Sequence, residues 1–138
     1  MNRAYQGRQD NPLEDLKQEL SRKAISQFTE REIFHPEGYA KNVVKRARIT
    51  AVQLRKVFQE FKVIVDGLKK DESVDRALAR LYKLYALLEY QAERGVLDKD
   101  FKELMFRLFD NIERNKSTQA FEKAYDLLMA MVAYSKKS

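Results

Sequence analysis

Apolar side chains recur at intervals of three and four residues along nearly the whole chain, and that period points to helices rather than strands. Glycine occurs four times and proline twice, too little turn chemistry for a sheet of many short strands. The spacing predicts six helical stretches. Asn11 stands as an N-cap before Pro12, with Glu14 three residues on. Leu13, Leu16, Leu20, Ala24 and Phe28 then share a face, and His35-Pro36 breaks the run, because the residue before proline avoids the helical region. A short second helix carries Tyr39, Ala40, Val43, Val44 and Ala47 on one side. Thr50 and Gln53 form a capping box at the start of the third, whose stripe runs Leu54, Val57, Phe58, Phe61, Val65, Leu68. Ser73 caps the fourth, which Gly95 ends. Its centre is apolar almost all round, from Leu78 to Leu88, as in a helix at the middle of a bundle or at a subunit interface. Asp98 and Ser117 cap the fifth and sixth. Short loops predict that neighbouring helices pack side by side. The expectation is an all-α fold, a compact bundle of about five to six short helices. It forms one domain over residues 1–138, with 1–11 and 135–138 flexible.

Cysteine is absent and His35 is the single histidine, which excludes disulfides, thiolate nucleophiles and multi-histidine metal sites. The four glycines are isolated, so no phosphate-cradling loop is encoded. Asp98 and Asp100 at a helix start are explained by capping, and the Glu89/Glu93 pair lacks the converging carboxylates a two-metal nuclease needs. Neither a catalytic residue, a metal ligand nor a cofactor is expected, and the chain reads as a non-enzyme. The first twelve residues lack the apolar core of a secretory signal, and no uninterrupted apolar run approaches the length of a bilayer crossing. A cytoplasmic protein without membrane contact is expected.

The charge distribution is more informative than the formal total of +6. Residues 1–40 hold 6 bases and 7 acids, residues 71–138 hold 12 of each, and residues 41–70 hold 9 bases and 2 acids. The excess therefore lies in one thirty-residue segment. Lys41, Lys45 and Arg48 stand at i, i+4, i+7 along the second helix, and Arg55, Gln59 and Lys62 repeat that spacing on the third. Arg46 and Lys56 lie off these edges. Like charges along one edge weaken a helix slightly, and regularly spaced phosphates reverse that cost while releasing counterions. The stripe Arg76, Arg80, Lys83 on the fourth helix reads as a solvated face, since its surroundings are neutral overall.

The run from Ile49 to Phe58, Ile-Thr-Ala-Val-Gln-Leu-Arg-Lys-Val-Phe, resembles the Thr…Gln-Leu-Arg-Lys-Phe signature of the small subunit of the Csm complex, the type III-A CRISPR effector. Leu87 to Arg94 is similar to that family's Leu…Tyr-Ala…Arg helix, and Phe121 to Lys136 to its closing pattern, with Ser135 where the family often has histidine. The resemblance implies a non-catalytic subunit, several copies of which stack beside the backbone and large subunits, flanking guide RNA and target RNA. Guide–target pairing reads sequence in such effectors, so the protein needs only to hold phosphates. Lys41, Lys45, Arg46, Arg48, Arg55, Lys56 and Lys62 are the expected RNA contacts, and the resemblance adds Arg94. Two other readings compete. One is a helical protein–protein adaptor whose apolar fourth helix docks a partner or a second copy. The other is a DNA-binding regulator, disfavoured because no helix-turn-helix with base-reading residues is evident.

Overall fold

The computed structural model describes residues 11–135. The expected flexible ends fall on residues outside that range, apart from Asn11 and Ser135 at its edges. The described chain is an all-α bundle: α1 (Pro12–Arg22), a 3-10 turn (Ile25–Gln27), α2 (Glu30–Phe34), α3 (Tyr39–Arg46), α4 (Ala51–Lys69), α5 (Val74–Glu93), α6 (Lys99–Asn115) and α7 (Thr118–Tyr134). Local chemistry starts each long helix. The side chains of Asn11, Ser73, Asp98 and Ser117 each accept a backbone N–H from the first turn, and Thr50 and Gln53 close their box at 3.1 Å in both directions. Gly95 ends α5 at φ +80°, with Val96 N–H donating to Gln91 and Gly95 N–H to Ala92, the paired bonds of a Schellman cap.

The first predicted stretch is divided. Leu13, Leu16 and Leu20 form the buried face of α1, but the helix stops at Arg22 and Phe28 reaches the core from beyond the 3-10 turn. Two causes act together. Asn111, fully buried on α6, accepts the Ile25 N–H at 2.8 Å and donates to the carbonyls of Leu20 and Lys23 at 2.7 and 2.8 Å, so it completes the hydrogen bonding of the broken backbone. Thr29 and Glu32 then form a second capping box that starts α2.

Helix α7 is the hub. It packs on α4, α3, α2, α6 and the 3-10 turn, and its Phe121 stacks on Phe61, which in turn stacks on Phe109. The Tyr134 hydroxyl donates to the Phe34 carbonyl at 2.7 Å and ties the end of α7 to α2. Helix α5, expected at the middle or at an interface, lies at the edge against α4 and α6. Not all neighbours in sequence pack together either: α3 and α4 make no substantial contact, and each lies on α7.

Gly38 fixes how α3 enters. A Cβ there would stand 2.3 Å from the Glu32 carbonyl oxygen and 2.7 Å from that of Arg31, both backbone atoms that cannot step aside. Gly38→Ala is expected to cost about 1–3 kcal/mol, an overpacking effect, read as a lower urea midpoint with unchanged slope.

Candidate nucleic-acid interface

Helix α3 buries Ala40 and Val43, which leaves Lys45 exposed and Lys41 half-buried on the opposite side, with Arg46 exposed in the last turn. The helix ends at Arg46, and Ala47 is extended (φ −68°, ψ 147°). Arg48 therefore sits on the extended connection to α4 and not on the helical edge that its spacing predicts. On α4, Arg55 and Lys56 are exposed, while Leu54, Val57, Phe58 and Phe61 face inward.

These cations do not share one depression. Arg46 and Arg48 line a cleft of about 330 Å³ together with Glu14, Asp98 and Asp100. Arg55 and Lys56 line a groove of about 540 Å³ between α4 and α5, with Val52, Gln59, Glu60, Leu87 and Gln91. Lys56, off the main edge by spacing, is thus brought beside Arg55. Lys62 is held by Asp66 at 3.0 Å, and that hydrogen bond pushes its pKa above the ordinary lysine value, so its charge is permanent but already matched. Arg94 lies 5.6 Å from the centre of the Tyr90 ring at the C-terminal end of α5, one turn beyond Gln91 of that groove. Among the described residues, Lys41, Lys45, Arg48, Arg55 and Lys56 meet no carboxylate within 4 Å.

Thr50 and Gln53 position this region. Beyond closing the cap, the Gln53 amide donates to the Val96 carbonyl, which pins the start of α4 to the loop after α5. The groove itself is not evident from the charge spacing. Its signal was present in Val52 and Val63, valines eleven residues apart that fall outside the buried stripe of α4.

Other chemistry stays structural. The Nδ1 of His35 accepts the Glu37 N–H at 3.0 Å beside the end of α2, and Glu89 pairs with Lys102 at 2.9 Å. Among the described residues no cluster of three metal-ligating side chains exists, and no helix is long and apolar enough to cross a membrane.

The family model described as Csm2 Type III-A matches residues 29–138. Neither the curated proteins nor the solved structures give a significant match.

Proposed function

The chain belongs to the Csm2 type III-A family, and we propose that it works in the cytoplasm as the non-catalytic small subunit of a type III-A RNA-guided effector. In this reading several copies lie side by side next to the backbone and large subunits, and each holds guide and target RNA by sequence-independent phosphate contacts. One observation carries it: the whole charge excess is confined to residues 41–70, and five of the cations there face solvent or a cleft without a carboxylate in reach. Self-repelling cations held on a folded surface gain most from a polyanion, which replaces a diffuse ion cloud with fixed phosphates.

Lys41, Lys45, Arg48 and Arg55 are the principal contacts. Arg46 and Lys56 lie off the i, i+4, i+7 edges, Lys62 shares its charge with Asp66, and Arg94 rests on the family resemblance and lies against the Tyr90 ring, so these four contribute less.

The test is a salt titration of binding to unrelated single-stranded RNAs and to a guide–target duplex, with the isolated chain and with the assembled effector. Affinity is expected to be indifferent to sequence. Its logarithm should fall with log salt at a slope of about −3 to −4, as expected for roughly four neutralised phosphates. A flat salt response in both preparations, or discrimination between sequences by the isolated chain, overturns the reading.

A further inference from the structure

Helix α5 sorts its charges by flank. Toward α4 it carries Arg80 and Lys83, which line the continuation of the α4–α5 groove beside Val63 and Leu87. Toward α6 it carries Glu89 and Asp75, which reach Lys102 and Lys116 at 2.9 and 3.4 Å. The equal numbers of acids and bases in residues 71–138 conceal this separation.

The two flanks differ in more than sign. The groove has an apolar floor, and Val52 and Val63 at its lip are 59% and 58% exposed. Valines that exposed beside an apolar floor mark a surface that gains from cover. Lys56 and Lys83 stand over it with no carboxylate within 4 Å among the described residues, and Arg80 is held there by Glu72 at 3.2 Å. The other flank is aromatic and acidic. Tyr82, 48% exposed, donates to Glu113 at 2.7 Å, Tyr85 donates to Asp110 at 2.7 Å, and Glu103 stands beside Lys102, which is itself largely covered. The Glu113 hydrogen bond raises the Tyr82 pKa, and burial together with Asp110 raises that of Tyr85. Both hydroxyls therefore stay neutral donors.

We infer that the acidic, aromatic α5–α6 flank of one copy seats on the basic, apolar α4–α5 groove of the next. The inference rests on the side-by-side copies of the reading above and names the two surfaces that meet. Glu103, Asp110 and Glu113 face Lys56, Arg80 and Lys83, and the Tyr82 ring covers the groove floor between Val52 and Val63. Charge complementarity sets the register, and the desolvated aromatic supplies the anchor. Because the two surfaces are different, the contact is heterologous. A pair leaves one groove and one acidic flank open, and further copies add to them.

A charge exchange tests this in the full-length chain. Lys56→Glu with Lys83→Glu makes the groove acidic, and Glu103→Lys with Glu113→Lys makes the flank basic. Circular dichroism establishes that each variant is folded, and Val63→Asp serves as an independent groove variant. In sedimentation velocity, the average mass of the wild-type chain should rise with concentration beyond two chains and fall with salt. Each double variant alone should stay monomeric, and an equimolar mixture of the two should regain mass, because acidic grooves then meet basic flanks. A wild-type chain that stays monomeric, a mass that stops at a dimer, or a mixture that stays monomeric overturns the inference. So does Val63→Asp losing RNA affinity while its association is unchanged, since the groove then belongs to RNA. Salt-dependent RNA binding by a chain that never associates sinks these surfaces and leaves the proposed function standing.

Discussion

Replacing Asn111 by leucine is expected to lower stability by about 2–6 kcal/mol, measured as a shifted midpoint in urea unfolding. The side chain is fully buried, and it serves groups 86 to 91 residues away. Without it, the Ile25 N–H and the Lys23 carbonyl lose their partner in the interior, at about 1–3 kcal/mol each. The Leu20 carbonyl keeps Arg114, which donates to it at 3.0 Å, so that group is not orphaned. A domain of this size holds only about 5–15 kcal/mol in total, so the substitution removes a large share. Asn111→Ala should be at least as damaging, since it adds a cavity to the same two unmade bonds. A change below about 0.5 kcal/mol in both variants, the range of ordinary surface substitutions, would show that water or a local shift replaces the amide.

Reversing Lys41, Lys45, Arg48 and Arg55 together to glutamate is expected to reduce RNA affinity by a factor on the order of a thousand or more and to flatten the log–log salt slope by about 3 to 4. None of the four has an ion pair within the described residues, so the fold loses no internal partner. The main internal cost is at Lys45, a cation in the last turn of α3, where a glutamate opposes the helix dipole by about 0.3–1 kcal/mol. The matching glutamine variants separate charge loss from charge reversal and should lie between. Reversal of Arg76 and Lys83 should leave the RNA slope unchanged. Equal losses in the two sets would mean that general basicity, and not residues 41–70, holds the RNA.

The helix starts were legible because capping is local: Asn11, Thr50, Ser73, Asp98 and Ser117 each act within three residues of their own position. The break after Arg22 was not, because its hydrogen bonds are completed from α6. A polar residue three positions after Leu108 and seven after Leu104, inside an apolar stripe, was the available sign. Thr29-Glu30-Arg31-Glu32 is a second, a capping-box pattern inside a stretch whose apolar spacing alone reads as one continuous helix. The cations themselves could be named from sequence, but their mutual placement could not. Helices α3 and α4 each pack on α7 without substantial contact with one another, so spacing along each helix says nothing of the angle between their edges. The α5 pattern correctly signalled a helix with apolar residues to spare. It could not tell a central position from an edge, since both leave the same hydropathy trace.

The hub position of α7 has a consequence during synthesis. Phe121, Ala124, Leu128 and Met131 are buried on α7, the helix that α2, α3 and α4 all contact, and the bond from Tyr134 to Phe34 spans 100 positions. A nascent chain that has released only α1 to α6 can already pair α1 with α6 and α4 with α5, but its Phe61 still lacks the Phe121 ring that stacks on it. The closing of α2, α3 and α4 onto the hub waits for residues 118–134 to emerge.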